Sequence, residues 1–320
     1  MCADGRYGRA RPGMTDRHLF CFGLGYSARV LAEALMREGW RVSGTVRTEA
    51  RAAELARAGI EPFLFDRGRP LAEAESALVG VSHMLSSVPP DGAGDPVLDH
   101  HGADILAVSG LAWVGYLSTT GVYGDRQGGV VDEDTPPRPA SERAKRRLEA
   151  EAGWLGLWRQ HGLPVHIFRL AGIYGPGRSA LDAVRAGQAK RIDKPGQLFS
   201  RIHVEDIAAV LAASMRRPSA GAIYNLADDN PAPSAEVVAY ACELLGVEPP
   251  PLTPIESAAL SPMAASFYAE SRRVGNERIK RQLGVRLKYP DYRAGLAAIL
   301  AAEGGRASGE LARERRHDPR

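Results

Sequence analysis

The sequence predicts an α/β protein with a doubly wound parallel sheet and a smaller C-terminal part that covers the substrate. Three observations support this class. Short apolar strands alternate with helical patterns as far as residue 170, a glycine-rich turn separates the first strand from the first helix, and residues beyond 170 become irregular and proline-rich. We expect a nucleotide-binding domain over residues 18–170, completed by parts of 198–228, and a substrate-binding part over 171–303.

The first strand and helix enclose a turn of the form Gly-x-Gly-x-x-Ala. Residues 18–22 are mostly apolar, as expected of a buried parallel strand. Gly23 permits a sharp turn, Gly25 leaves room for a pyrophosphate, and Ala28 lets the helix pack closely on the sheet. The free amides of the helix N-terminus favour phosphates. The pattern therefore predicts a Rossmann-type dinucleotide site formed by Gly23, Gly25, Tyr26, Ser27 and Ala28.

The second strand, residues 41–47, favours NADP over NAD. An NAD site usually ends this strand with a carboxylate that binds the ribose hydroxyls, about 20 residues after the glycine turn. Arg47 stands in that region, and a guanidinium suits a 2′-phosphate through paired, charge-assisted hydrogen bonds. Thr45 and Thr48 offer hydroxyls nearby. The alternative is a solvated arginine at a strand end, in which case NAD would serve.

Four further strands are expected to bring their carboxyl ends to the same ligand-binding edge. They are predicted over residues 62–65, 81–88, 112–118 and 164–170. Asp66 follows the first of them, where it either binds the adenine amino group or acts as an ordinary loop carboxylate. Ser87 is expected beside the cofactor ribose. A helix is predicted from Ser141 to Gln160.

Several later motifs occur in a recognisable order. They are residues 117–125 (LSTTGVYGD), 169–178 (RLAGIYGPGR), 201–208 (RIHVEDIA) and 224–227 (YNLA). Together with the glycine turn, this order resembles the extended short-chain dehydrogenases/reductases, the NAD-dependent epimerase/dehydratase group, over about residues 18–300. The chain is most similar to the atypical YeeZ-like branch of that group.

The resemblance implies a catalytic Ser or Thr followed by a Tyr-x-x-x-Lys pair. Thr119 matches the Ser/Thr that orients the substrate oxygen, and Lys145 matches the lysine that holds the nicotinamide ribose. Ser141 stands at the tyrosine position, and its hydroxyl is a much weaker acid than a phenol. Ser141 is therefore either a catalytic substitute or the N-cap of the following helix. Lys145 either holds the ribose or is a solvated cation.

Two further residues are candidates for contact with the substrate. Tyr123 either lines the active cleft or packs beneath it, and Arg178 either binds an anionic substrate or is an ordinary surface arginine. The resemblance also implies dimerisation through the helix that begins near Ser141. Ala144, Leu148, Ala152 and Leu155 give this helix an apolar stripe, which either pairs with a second copy or faces the sheet.

Composition limits the partners and the compartment. The net charge of +3 is carried by residues 1–17 and 304–320, which lack apolar periodicity and are predicted to be disordered; Met14 is an alternative start to Met1. The body carries no excess of basic residues for nucleic acid. The chain shows no apolar run of about 20 residues for a membrane and no export signal. Three scattered cysteines suit a reducing cytoplasm and form no metal motif.

The sequence is therefore interpreted as a cytoplasmic NADP-binding oxidoreductase that acts on a small molecule, without a metal. It would transfer a hydride to or from a carbonyl or alcohol carbon. A nucleotide-sugar epimerase is the alternative enzyme. Because the tyrosine is missing at Ser141, a non-catalytic NADP-binding or sensing protein is the alternative outside enzymes.

Overall fold

The computed structural model of the protein describes residues 17–314. The strands are β1 (His18–Phe22), β2 (Arg41–Val46), β3 (Glu61–Leu64), β4 (His83–Ser86), β5 (Trp113–Thr119), β6 (Val130–Val131), β7 (Val165–Leu170), β8 (Gly172–Tyr174), β9 (Arg191–Asp193), β10 (Arg201–His203), β11 (Ile223–Leu226), β12 (Leu252–Pro254) and β13 (Arg273–Val274).

The α-helices are α1 (Tyr26–Arg37), α2 (Glu49–Arg57), α3 (Ala74–Ala77), α4 (Pro96–Ala107), α5 (Glu142–His161), α6 (Ala180–Arg185), α7 (Val204–Arg216), α8 (Ser234–Leu245), α9 (Pro262–Tyr268), α10 (Glu277–Leu283) and α11 (Tyr292–Glu314). Two 3₁₀ turns cover Thr120–Tyr123 and Ile255–Ser257.

Seven parallel strands form the central sheet, in the order β3-β2-β1-β4-β5-β7-β11. The predicted doubly wound parallel sheet is therefore confirmed. Successive strands run outwards from β1 on one side and from β4 on the other. A crevice consequently opens at the carboxyl ends of β1 and β4, where Phe22 pairs with Ser86 and where open α/β sheets bind their ligands.

Apolar side chains on the two faces of the sheet build two separate cores. Leu31 of α1 and Leu211 of α7 belong to one core, and Val97 of α4 and Trp154 of α5 belong to the other. Every residue of β1 is buried, because helices cover both faces of a central parallel strand. This burial explains why the central strands are mostly continuous apolar runs.

The second part of the protein is interleaved with the sheet. The segment after β7 forms β8, α6, β9 and β10 before the chain returns to the sheet as α7 and β11. Of the strands in 198–228, β11 joins the central sheet, whereas β10 pairs with β8 outside it. A third apolar cluster, which includes Leu181, Val237 and Leu296, holds α6, α8 and α11 together.

The apolar stripe of α5 faces its own chain. Ala144 is buried, and Leu148 and Leu155 pack against the two cores of the sheet, while Ala152 is exposed. The expectation of a homodimer loses this support and stays a prediction.

The chain ends bear on two further expectations. Residues 1–16, with Met14, lie outside the described residues. The last helix, α11, continues to Glu314, so the part of the expected disordered tail from 304 to 314 is helical in the structure, whereas residues 315–320 lie outside the described residues. No helix within residues 17–314 combines the length and apolar character needed to cross a membrane.

Candidate cofactor and active site

The turn after β1 is held by the neighbouring strands. Gly23 has a φ of +83°, a conformation that favours glycine, and its N–H donates to Thr45 Oγ1 at 2.8 Å. The Ser87 hydroxyl donates to the carbonyl of Gly23, and a Cβ at Gly23 would lie only 2.9 Å from that hydroxyl oxygen. Gly23 and Ser87 therefore meet at the β1–β4 crevice, as expected.

Gly25 leaves an open cradle at the start of α1. It is the N-cap residue of the helix and supplies no side-chain hydrogen bond to the first amides. A Cβ at Gly25 would meet no atom within 4 Å, so the space above the turn is empty. Ser27 and Ala28 are buried, and Ala28 packs in the core beneath. This cradle fits the pyrophosphate of a dinucleotide, because phosphates bind unsatisfied helix N–H groups.

Tyr26 connects the turn to the second part of the protein. Its phenol donates to the carbonyl of Pro176 at 3.0 Å, and burial raises the pKa of the phenol to about 12. A Cβ at Gly175 would lie 2.5 Å from the Tyr26 hydroxyl oxygen, so the chain passes very close to the ring. The exposed Arg178 guanidinium lies 5.7 Å from the centre of the same ring.

The end of β2 brings two arginines together. Arg47 is exposed, and its side chain makes no hydrogen bond within the described residues. Arg69 donates to the carbonyl of Arg47 at 2.7 Å and to Asp66 at 3.2 Å. Asp66 also accepts from the Gly68 N–H at 3.0 Å, so its carboxylate closes a turn while remaining partly exposed. Sequence reasoning missed Arg69, although its spacing from Asp66 is typical of a tight turn.

The two threonines proposed beside Arg47 have structural partners instead. Thr45 is buried and accepts a hydrogen bond from the amide of Gly23. Thr48 is the N-cap of α2 and accepts from the Arg51 N–H at 3.4 Å. Thr45 is thereby shielded from a ligand, whereas the exposed Thr48 hydroxyl keeps its own proton and stays a candidate for the phosphate.

Thr119 stands at the carboxyl end of β5, where the sequence predicts it. It is half-buried, and its Oγ1 accepts from the Gly121 N–H at 3.1 Å, which caps the following 3₁₀ turn. A Cβ at Gly121 would lie 3.3 Å from Thr119 Oγ1 and 3.9 Å from the Cβ of Ala144. The threonine and the first turn of α5 therefore meet around Gly121. The Thr119 hydroxyl keeps its own proton available for a ligand oxygen.

Ser141 and Lys145 do not extend this site inward. The Ser141 hydroxyl accepts from the Ala144 N–H at 3.2 Å, so it acts as the N-cap of α5. Lys145 is exposed and pairs with Glu142 at 2.7 Å, which raises the pKa of the ammonium group. The cap and the ion pair with Glu142 agree with the structural interpretation of each residue, and the catalytic interpretations of Ser141 and Lys145 stay predictions.

Arg147 is the cation of α5 that reaches the sheet. Its Nη1 donates to the carbonyl of Leu117 at 2.7 Å and lies 3.3 Å from the Tyr116 hydroxyl. The inward face of α5 is marked by Glu151, which is buried, whereas Glu149 is exposed. Arg147 and Glu151 are four residues apart, as Lys145 and Glu149 are, and lie two residues later in the sequence. This equal spacing is the signal that could have identified Arg147 from the sequence.

A buried polar network lies beneath Thr119, and Tyr123 belongs to it. Tyr123 is 0% exposed; its hydroxyl donates to Asn225 at 2.8 Å and accepts from Arg169 at 3.0 Å. Arg169 makes a two-pronged ion pair with Glu151, which also accepts from Ser118 at 2.5 Å. Of the two interpretations of Tyr123, its burial favours packing beneath the cleft. Burial raises the pKa of its phenol and leaves it no open surface.

A cavity of about 570 Å³ opens in the second part, beside Arg178. Arg201 of β10 lines it from the inner side, and α6, α8 and α11 supply the remaining walls. Asp228, two residues after β11, is buried behind Arg201 and is 2% exposed. Its burial raises the pKa of the carboxyl to about 8. Sequence reasoning identified Arg178 here but missed Arg201 and Asp228.

Comparisons with known proteins agree with this geometry. A model described as the NAD dependent epimerase/dehydratase family matches residues 103–227. Protein YeeZ of Escherichia coli (strain K12) is 31% identical over 285 residues, covering 84% of this chain and 95% of YeeZ. A 3-diazoavenalumate denitrifying reductase of Streptomyces sp is 27% identical over 297 residues, covering 83% of this chain and 94% of that reductase.

A solved structure is also similar over most of its length. A functionally unknown conserved protein from Silicibacter pomeroyi DSS is 51% identical, with a TM-score of 0.83, covering 89% of this chain and 99% of that one. The glycine turn, the parallel sheet and the YeeZ relationship lead to one conclusion, which confirms the resemblance found in the sequence. The chain belongs to the NAD-dependent epimerase/dehydratase family.

Proposed function

We propose that the protein is an NADP-binding oxidoreductase that transfers a hydride between the nicotinamide and a carbonyl or alcohol carbon of a small molecule. The observation that carries the proposal is the open cradle at Gly25 together with Arg47 and Arg69 at the end of β2. The cradle suits a pyrophosphate, and two guanidinium groups suit a 2′-phosphate better than a ribose hydroxyl.

Each part of the cofactor has residues that would hold it. The free amides in the first turn of α1, beginning with Tyr26, would bind the pyrophosphate, and Arg47 and Arg69 the 2′-phosphate, with NAD as the weaker ligand. Asp66 keeps an exposed edge for the adenine amino group, and Ser87 lies at the crevice for a ribose. When bound, the cofactor supplies or accepts the hydride.

The residues around Thr119 would handle the substrate oxygen. The Thr119 hydroxyl accepts from the Gly121 amide and donates its proton toward the oxygen that gains charge as the hydride arrives. Arg147 would supply the positive charge that the resemblance assigns to Lys145, because it is the cation hydrogen-bonded to β5. The proton that completes an alcohol would come from water ordered at Thr119, since Ser141 serves as a helix cap.

A titration of NADP and NAD into the wild type and Arg47→Ala tests the cofactor assignment. Hydrogen bonds to charged groups contribute about 1.5–3 kcal/mol, so we expect NADP affinity to fall roughly 10- to 150-fold while NAD affinity changes little. Arg57→Ala is the matched control, because Arg57 is an exposed arginine at the other end of α2. Equal affinities of the wild type for the two cofactors would refute the NADP assignment.

A non-catalytic NADP-binding sensor is the second candidate. This candidate is favoured by the capping role of Ser141, because a helix cap at this position does not replace the phenol that usually donates the proton. The Streptomyces relative is named a reductase, which supports catalytic activity over sensing and favours reduction over epimerisation. Turnover on a panel of aldehydes, ketones and nucleotide sugars, followed by reduced-nicotinamide absorbance, separates the candidates. NADP binding without turnover on the whole panel would favour the sensor.

A further inference from the structure

The cavity in the second part has walls of two chemical kinds. One wall is apolar and is built by α6, α8 and α11, with Val237, Val238 and Leu296 among its side chains. The other wall carries two arginines, Arg178 at the mouth and Arg201 deeper inside. A volume of about 570 Å³ is that of a site for a small organic ligand.

The positive charge of the Arg201 guanidinium is not balanced by an ion pair in the part of the chain that the structure describes. Its Nη1 donates to two neutral acceptors, the carbonyls of Phe199 at 2.8 Å and Ala232 at 2.9 Å. Neither Arg201 nor Arg178 forms an ion pair with any residue between 17 and 314. A half-buried guanidinium without a carboxylate partner is costly, and an anionic ligand would satisfy it.

The acidic groups nearby do not neutralise these arginines. Asp182 lines the cavity, but its carboxylate accepts from the Ser179 N–H at 2.7 Å and the Ser179 hydroxyl at 2.6 Å in a capping box. Asp228 is closer to Arg201, yet neither of its oxygens accepts a hydrogen bond of normal geometry. Burial raises the pKa of this carboxyl, which reduces its negative charge beside Arg201. The cavity is therefore electropositive on its inner side.

The mouth of the cavity adjoins the cofactor turn. Arg178 packs over the ring of Tyr26, which directly follows the Gly25 cradle, and it forms a bridge with Gly175 through the backbone. A ligand at the mouth of the cavity would therefore lie beside the first residues of α1.

We propose that this cavity binds an organic anion with an apolar body, its carboxylate or phosphate on Arg201 and Arg178 and its body against Val237, Val238 and Leu296. The proposal deepens the proposed function, because it names the substrate class of the same protein. The wall of Val237, Val238 and Leu296 favours an apolar body over a sugar, although Gln188 and Ser234 also line the cavity.

Calorimetric titrations of the cofactor-free protein test the proposal independently of NADP. The probes are trans-cinnamate, phenyl phosphate, the neutral cinnamamide and UDP-glucose. We expect at least one of the two aryl anions to bind saturably and cinnamamide to bind at least about 10-fold more weakly, as loss of one charge-assisted contact implies. Preference for cinnamate or for phenyl phosphate tells a carboxylate from a phosphate ligand.

Variants locate the binding. Arg201→Gln should weaken binding of the aryl anion roughly 10- to 150-fold. Arg178→Gln, at an exposed position that tolerates change, should weaken it in the same direction. Arg185→Gln is the control, because Arg185 is on α6 but pairs with Glu303 outside the cavity. The proposal is overturned if neither aryl anion binds, if cinnamamide binds equally well, if UDP-glucose binds better than both anions, or if neither cavity variant differs from the control.

Discussion

The raised pKa of the Asp228 carboxyl, beside Arg201, can be tested through the pH dependence of stability. This carboxyl is buried without a well-formed hydrogen bond, and burial raises its pKa from 3.8 to about 8. At a pH between these values the folded protein holds this proton, whereas the unfolded chain has released it. The free energy of unfolding therefore falls as the pH rises across this window.

The size of the effect follows from this difference. A shift of one pH unit inside the window costs about 1.4 kcal/mol, so from about pH 5 to about pH 7 the wild type should lose roughly 3 kcal/mol relative to a variant without the titration. Asp228→Asn is that variant, because the amide has nearly the same shape and does not ionise. Below about pH 3.8, where the carboxyl is neutral in both the folded and the unfolded states, the two proteins should be similarly stable.

Urea unfolding at several pH values measures the difference between the wild type and Asp228→Asn. We expect the variant to become progressively more stable than the wild type as the pH rises. Asp134→Asn is the control, because the Asp134 side chain is 80% exposed and water screens its charge. A wild-type-to-variant difference that stays constant across the pH range would show that Asp228 does not hold its proton in the folded state.

Three further predictions concern the turn, the threonine and the cap. Gly25→Val should abolish NADP binding with little loss of stability, because the added side chain enters open space that the pyrophosphate would occupy. Gly44→Ala should destabilise the fold, since its Cβ would lie 2.5 Å from the carbonyl oxygen of Cys21. Cofactor titration and thermal unfolding of each variant check these two outcomes. Thr119→Ala should lower turnover by ~10²–10³ with NADP affinity nearly unchanged, and unaltered turnover would remove the threonine from the chemistry. Ser141→Ala should cost about 1 kcal/mol of stability through the lost cap and leave NADP affinity unchanged; loss of affinity would contradict a purely structural role.

The sheet and the cofactor turn could be predicted because their signals are local. Five mostly apolar residues before Gly23 and a helical pattern after Gly25 determine the strand, the turn and the helix within a short stretch. Which residues of α5 face the sheet could not be predicted as easily. Its inward positions depend on which carboxylate is buried, and only packing shows that Glu151, not Glu149, meets Arg169 and that Arg147 faces β5.

The second part was harder to predict for a related reason. Arg178, α8 and α11 are distant in sequence, so neither spacing nor composition indicates that they share one cavity with Arg201. The partners of Tyr123 are similarly remote: Asn225 is 102 residues away along the chain. A tyrosine beside a glycine turn has the same local pattern whether it lines a cleft or closes a core.

The interleaving of β8, α6, β9 and β10 between β7 and β11 limits how the protein can be divided. A fragment ending at residue 170 would lose β11, which covers the edge of β7, and α7, which packs with α1 in the same core. Such a fragment would present a bare strand edge and be prone to aggregate. The segments that line the cavity, by contrast, enter and leave the sheet only at its carboxyl edge. Selection could therefore reshape ligand preference by altering these excursions while the nucleotide-binding scaffold stays intact.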